Sequence, residues 1–489
     1  MSRPTVAAQA RTGIFSLLAR QLITFPITFL AGIALARMLG PTDFGTYATV
    51  SFLVMGAGVL VDVGLGALLI QQPEEPTPTQ LKSVFTAQLL VFGIVTAVLM
   101  VVAPWLAQGF RLPEGGEWLL RAMALNMLVG TLGTNSTLLL ERRMGFPVFA
   151  RLDVLTVLLD RGTALALAFA GFGAWSFVIA SLVSMTTRVA LLYLAAPWTL
   201  GLALDWAVLK RALGFGAFFQ GINLTALARD NMNTLLGGPL FGPRSVGHLN
   251  WGMGLAQTCS QPLVHILGRV AFPAFSRLQD DPAERDRMLG ESLYWLNLAT
   301  FPMLLLLMAT GDGIVTYVYG EAWRPGLWAL YAFAFRLMAA NVTSVMVTYL
   351  NASGRTKLSF QVTAAWTVVE WAIAAALVAW LGFNGIAAAY ALGVLLPVFW
   401  LLAIVGREVP LAYGRLFALP LALGLSGAGV AWALQGLVHS LWSFLAVLAV
   451  SGALPLAGIL ALEGRRLRAF VQERLAGRRT PPVPEPVEP

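Results

Sequence analysis

Little in this chain titrates. Charged residues make up 11% of its 489 positions, against roughly 25% in an ordinary globular protein. Of its 32 basic residues only Lys82, Lys210 and Lys357 are lysine. The single cysteine, Cys259, excludes an internal disulfide and a thiolate metal cluster, and reads as packing. His248, His265 and His439 are far apart and lack metal-ligand spacing, so they read as interfacial or packing groups. A Walker loop is absent. Gly56, Gly58, Gly64 and Gly66 form no dinucleotide fingerprint behind a strand and read as helix-packing glycines. No polar stretch is long enough for a soluble domain. Met1 to Ala10 is a short polar lead and the run Gly13 to Ala36 is too long for a signal-peptide core, so no cleaved leader is expected. These absences point away from a soluble enzyme, a nucleotide site and a resident metal or cofactor.

Hydrophobic residues supply 58% of the chain. About 20 apolar residues cross the hydrocarbon as a helix, and the runs predict fourteen spans, at 13–37, 44–70, 84–108, 117–140, 149–170, 174–196, 211–237, 245–268, 290–317, 325–350, 358–381, 384–405, 412–435 and 441–462. They are continuously apolar and lack the alternation of a membrane strand, so the fold class is an all-α integral membrane protein. Short Gly/Pro joints separate them.

Basic residues orient the spans. Twenty-two fall on one side, including Arg142, Arg143, Arg151, Arg285, Arg287, Arg355, Arg407, Arg415, Arg465 and Arg466; only Arg37, Arg111, Arg244 and Arg324 fall on the other. That asymmetry puts both termini in the cytoplasm. It also explains the net charge of +8 without nucleic acid, because the bases are spread over many short loops. In Asp281-Pro282-Ala283-Glu284 the acid and Glu284 predict a capping box that opens a helix. Leu467, Phe470, Val471 and Leu475 form an apolar stripe among arginines, suited to a short helix on an anionic leaflet or to a solvated tail, and the Pro-rich end is expected to be disordered.

Two fragments recur in order. Gly40-Pro41-Thr42-Asp43-Phe44-Gly45 returns 202 positions later as Gly242-Pro243-Arg244-Ser245-Val246-Gly247, and Gly171-Phe172-Gly173-Ala174 returns 211 later as Gly382-Phe383-Asn384-Gly385. A tandem duplication of about 200 residues is the reading, and in membrane chains such halves belong to transporters with a site between them.

The loops carry family information. Arg37-Met38-Leu39-Gly40-Pro41-Thr42-Asp43-Phe44-Gly45-Thr46-Tyr47 and Asp62-Val63-Gly64-Leu65-Gly66, then Leu140-Glu141-Arg142-Arg143-Met144, Phe272-Pro273-Ala274-Phe275-Ser276-Arg277-Leu278-Gln279, Tyr319-Gly320-Glu321-Ala322-Trp323-Arg324-Pro325 and Asn351-Ala352-Ser353-Gly354-Arg355 stand in order over about the first 400 residues. Together they resemble the bacterial polysaccharide transporters, the oligosaccharide-lipid flippases of the multidrug/oligosaccharidyl-lipid/polysaccharide superfamily. The resemblance implies two pseudo-symmetric lobes of six helices plus two C-terminal helices. Mapped here, these are 1–200, 201–406 and 407–463, followed by a cytoplasmic basic segment and tail, 464–489. It further implies alternating access and passage of undecaprenyl-pyrophosphate-linked repeat units to the periplasmic leaflet. Asp230 matches the family's usual acid in the seventh span.

Charges inside spans are functional candidates, because each costs at least ~3 kcal/mol near the midplane. Arg20, Arg161, Arg229 and Arg336 are the candidate cavity cations for a pyrophosphate, for which guanidinium is the best donor. Asp62, Asp160, Asp230 and Glu370 are the candidate coupling acids and pairing partners, with H+ or Na+ left open as the coupling ion. Asp160 and Glu370 are within one residue of equivalence under the 211 offset. The alternative for each is an interhelical ion pair that fixes packing. Arg229 and Asp230, being adjacent, are expected to face different partners.

Rival readings are a lipid II-type flippase, a multidrug antiporter and a membrane-embedded glycan polymerase. The antiporter calls for cavity acids where the first span carries Arg20, and the polymerase for a large external loop that is missing here. The expected partners are a lipid-linked oligosaccharide and membrane lipids, with a polymerase and glycosyltransferases of the same pathway, in the bacterial inner membrane.

Overall fold

The computed structural model describes residues 6–61, 69, 74–205, 227–278 and 281–476, and no strand occurs among them. The chain divides into two compact units. Unit 1 comprises Met1–Gly252, Val318–Ala329 and Trp371–Ala389; unit 2 comprises Met253–Tyr317, Leu330–Glu370 and Tyr390–Pro489. In chain order the principal helices are α1 (Val6–Val61), α2 (Pro78–Gly109), α3 (Gly116–Leu132), α4 (Thr134–Arg142), α5 (Phe146–Phe169), α6 (Trp175–Ala195), α7 (Met232–Phe241), α8 (Pro243–Arg277), α9 (Pro282–Ala309), α10 (Leu327–Ala352), α11 (Thr356–Leu381), α12 (Asn384–Gly393), α13 (Leu395–Glu408), α14 (Leu419–Ala433) and α15 (Leu441–Ala476).

Among the described residues nine helices are long and apolar enough to cross a membrane, or ten if α3 and α4, bent by 42°, form one span. The chain is a multi-pass membrane protein. Helix is the local solution because lipid offers no partner to a bare peptide group. α5, which carries Arg151, Asp153, Asp160 and Arg161, is not among the nine. The span expected over 211–237 lies largely outside the described residues. The apolar stripe expected as a separate short helix after span fourteen is continuous with it, since α15 runs unbroken to Ala476.

Helix starts follow the capping rules. Asp281 accepts from the Glu284 N–H at 3.2 Å, with Pro282 in the first turn. The reciprocal capping box forms at Thr77 and Gln80 instead, where both side chains reach back to the backbone.

Unit 1 contains the recurring fragments, and the first pair meets. Gly40 breaks α1 at φ 74°, ψ 179°, and Gly242 ends α7 at φ 79°, ψ 178°, a backbone region that essentially only glycine occupies. Five residues on, Gly45 lies against Pro243 and Gly247, and Gly247 lies against Pro41 and Gly45. The crossing is reciprocal. Its flanks echo one another too: the Phe110 ring covers Gly238, while the Trp323 indole N–H donates to the Ala36 carbonyl at 3.1 Å. Ala36 and Gly238 are themselves 202 residues apart. Fully buried Trp323 also meets Phe44 edge-on, at 5.5 Å between ring centroids, and packs beside Trp251 and His248. His248 is thus a packing group, stacked on Phe383. At the second echo, Gly171 and Gly382 both take positive φ, 83° and 58°.

Unit 2 has its own core, in which Phe275, Leu289, Leu293, Tyr294, Met346, Tyr349 and Leu401 are almost completely buried. At one end of this unit, segments that the basic-residue count assigns to a common side come together. The Tyr349 hydroxyl donates to Asp286 at 2.8 Å, the Tyr294 hydroxyl to Glu463 at 2.7 Å, and Arg355 pairs with Glu408.

Candidate functional site

Three charges from three helices of unit 1 converge. Arg20 on α1 and Arg188 on α6 both bond the carboxylate of Asp153 on α5, each taking a different oxygen. The residues are half-buried: their side chains are 32%, 31% and 18% exposed for Arg20, Arg188 and Asp153. Two guanidiniums on one carboxylate leave a net charge of +1. Spacing explains the arrangement. Asp153 and Asp160 are seven apart on α5, and Ser181, Ser184 and Arg188 recur at three and seven on α6, so each set forms a stripe along one face. The stripes pair rung by rung: Arg188 with Asp153, Ser184 with Asp160 at 3.3 Å, and Ser181 with Asn126 of α3. Arg161 folds onto its own neighbour Asp160 at 3.4 Å.

Arg229 and Asp230 overturn one expectation. They were expected to find different partners, but the guanidinium turns back on the adjacent carboxylate in a two-point fork of 2.9 and 3.2 Å. The reason is reach: a three-carbon stem can fold over the next residue where the helix is ending, and Asn231 has already left helical geometry at φ −120°, ψ 25°. Asp230 remains 48% exposed. Asp62 lies outside the described residues.

Arg336 and Glu370 form a different environment in unit 2. Their side chains are 7% and 0% exposed and 3.7 Å apart. The Trp366 indole donates to Glu370 at 2.6 Å, and the Arg336 guanidinium lies 4.3 Å over the Tyr390 ring and 5.9 Å from that of Trp366. Gly393 leaves the space Glu370 fills: a Cβ there would sit 2.3 Å from its Cγ. Asp160 and Glu370, one residue from equivalence under the 211 offset, have dissimilar partners.

Asp153 is the residue that sequence reasoning missed. It lies near the start of the span expected over 149–170, and neither it nor Arg188 was among the candidate charges. The available signal was its seven-residue spacing from Asp160. Among the described residues no group of three His, Cys, Asp or Glu is placed to hold a metal ion.

The comparisons with known proteins agree with this architecture. The family model described as "Polysaccharide biosynthesis protein" matches residues 34–327, more than half of the chain. The chain belongs to this polysaccharide biosynthesis protein family. A second model, "Lipid II flippase MurJ", matches residues 240–451. Among family relatives, the teichuronic acid biosynthesis protein TuaB of Bacillus subtilis is 25% identical over 62% of this chain and 63% of its own length. The succinoglycan biosynthesis transport protein ExoT of Rhizobium meliloti is 28% identical over 72% and 69%, and the lipopolysaccharide biosynthesis protein WzxC of Escherichia coli 23% over 67% and 66%. The chain thus spans about two thirds of the length of the curated relatives it matches, and slightly less for TuaB. Among solved structures, the lipid II flippase MurJ in an inward closed conformation superposes with a TM-score of 0.75 at 14% identity, covering 92% of this chain and 100% of that one. An inward-facing multidrug resistance transporter of the MATE family, itself of the MOP superfamily, gives 0.60 at 14% identity over 80% and 98%. At such identity the likeness is one of fold.

Proposed function

We propose that this family member is a flippase for polyprenyl-pyrophosphate-linked oligosaccharide repeat units, carrying them from the cytoplasmic to the periplasmic leaflet by alternating access. The observation that carries the reading is the Arg20–Asp153–Arg188 cluster. Two guanidiniums held by one half-buried carboxylate retain a net positive charge, and a pyrophosphate can replace the carboxylate as their partner. Asp153 keeps the two arginines aligned while the site is empty. Arg161 and Arg229 are secondary cations for the same headgroup. Arg336 and Glu370, closed off with Trp366 and Tyr390, act as an interhelical ion pair. Exposed Asp230 is the candidate for coupling to H+ or Na+.

The names of the matched relatives, which include a succinoglycan transport protein and two surface-glycan biosynthesis proteins, support exopolysaccharide, capsule or O-antigen units as the cargo. The finer architecture belongs to this proposal as well: fourteen spans, six-helix lobes at 1–200 and 201–406, two further helices in 407–463, both termini in the cytoplasm of the inner membrane, and a polymerase and glycosyltransferases as working partners. No step of catalysis is assigned to the chain. A second reading, lipid II transport, is favoured by the MurJ-model match over residues 240–451.

Complementation separates the two. The chain expressed in a strain lacking its oligosaccharide flippase is expected to restore surface polysaccharide, and the Arg20→Ala/Arg188→Ala variant at equal membrane level is expected to fail. Rescue of a lipid II flippase depletion, without rescue of the polysaccharide strain, would assign it to the second reading.

A further inference from the structure

A cavity of about 520 Å3 opens in unit 2, between the start of α9 and the Val409–Leu416 segment that precedes α14. Its α9 wall is one helix face: Ala283, Asp286, Arg287, Gly290, Glu291 and Tyr294 follow at steps of three or four. Gly290 adds room, since a Cβ there would meet nothing within 4 Å. Four charges line the space, Asp286 and Glu291 against Arg287 and Arg415, and their formal sum is zero.

The charges are positioned without being used up, and Arg287 meets Glu284 only at 3.4 Å. Arg415 lies 4.3 Å over the ring of Tyr294, and its carboxylate contacts are 3.5 Å to Glu463 and 3.8 Å to Glu291. A closed charge-assisted bond is about 2.7–2.9 Å, so an oxyanion can still bond this guanidinium. Tyr349 and Arg285 both contact Oδ1 of Asp286, and the Trp295 indole holds Oε2 of Glu291 at 3.1 Å. Oε1 of Glu291 faces Arg415 at 3.8 Å, beyond a closed bond, so each carboxylate keeps an oxygen with acceptor capacity. A simple anion entering here meets two carboxylates, and a simple cation meets two guanidiniums. A ligand with both signs a few bonds apart meets a partner for each.

The depth of the cavity identifies the source of such a ligand. Glu463, which accepts from Tyr294 beneath the cavity, directly follows the apolar run of α15. The polar start of α9 gives way to apolar sequence at the same level. Both helices change between apolar and charged sequence at this level, as helices do where they pass from hydrocarbon to headgroups. We propose that the cavity binds the headgroup of phosphatidylethanolamine, its ammonium at Asp286 and Glu291 and its phosphate at Arg415 and Arg287. This inference does not depend on the flippase reading.

The test is native mass spectrometry of the full chain in nanodiscs of mixed phosphatidylethanolamine, phosphatidylcholine and phosphatidylglycerol. Wild type is expected to retain phosphatidylethanolamine at least fivefold over either competitor, because a trimethylated ammonium offers no N–H and a glycerol headgroup no cation. Asp286→Asn with Glu291→Gln keeps the oxygens that accept from Tyr349 and Trp295, and is expected to abolish that preference. Arg415→Gln is expected to lower retention of all three lipids. Equal retention of the three lipids by wild type overturns the proposal without recourse to any variant. Retained preference in the double carboxylate variant overturns it as well. So does displacement of the lipid by millimolar glycerophosphoethanolamine, which would make a soluble compound the ligand.

Discussion

Gly45 and Gly247 cross so closely that the backbone of each one's partner segment fills the space its own side chain would need. A Cβ on Gly45 would lie 1.6 Å from the Pro243 carbonyl oxygen and 2.7 Å from the Gly247 nitrogen; one on Gly247 would lie 1.9 Å from the Pro41 oxygen and 3.2 Å from the Gly45 nitrogen. The obstacle is backbone, which cannot rotate away as a side chain can. Gly45→Ala and Gly247→Ala are therefore each expected to destabilise the purified protein by more than the ~1–3 kcal/mol typical of overpacking, read as a lowered thermal midpoint. Gly32→Ala and Gly93→Ala, where a Cβ meets nothing within 4 Å, serve as controls. Equal midpoints for all four variants would remove the crossing from the account of stability.

The two arginines on Asp153 are expected to differ from it in what their loss does. Arg20→Ala and Arg188→Ala should each cut transport of lipid-linked repeat units by tenfold or more, with the protein still inserted. Arg20→Lys should recover part of the activity, since a point charge replaces a two-pronged donor. Asp153→Asn keeps the shape but removes the charge that aligns the pair, and is expected to raise affinity for inorganic pyrophosphate in the purified protein while slowing turnover. Weaker pyrophosphate binding in this variant would show that Asp153 does more than hold the place of the ligand.

Buried charge pairs are costly to halve and cheap to replace. Glu370→Gln keeps an acceptor for the Trp366 indole yet strands the Arg336 guanidinium, and should destabilise by about 3–5 kcal/mol. The double variant Arg336→Met/Glu370→Met is expected to recover most of that loss and to transport normally. Normal stability with transport abolished in the double variant would move the pair from packing to mechanism.

Topology is open to direct measurement. Phosphatase and fluorescent-protein fusions at residue 435 are expected to report the periplasm, and fusions at residue 475 the cytoplasm. The same side for both would break the count of fourteen spans.

Membrane character, helix class and the recurring Gly/Pro fragments were legible in the chain itself, because each rests on local quantities. Twenty apolar residues span a bilayer wherever they stand, and the Gly40 and Gly242 joints need a backbone only glycine adopts. The partners of the charges were not legible. Asp153 binds Arg20, 133 residues away, because α1, α5 and α6 bring their polar faces together. Arg336 reaches Glu370 in a pocket completed by Tyr390 and by the missing side chain of Gly393. An arginine stem can also fold onto its own neighbour, as Arg229 does, against the rule that adjacent helical residues diverge. Sequence determines which segments enter the membrane and where they break. Only tertiary packing decides which buried charges neutralise one another and which stay available to a ligand, since that depends on distances across helices that no local pattern encodes.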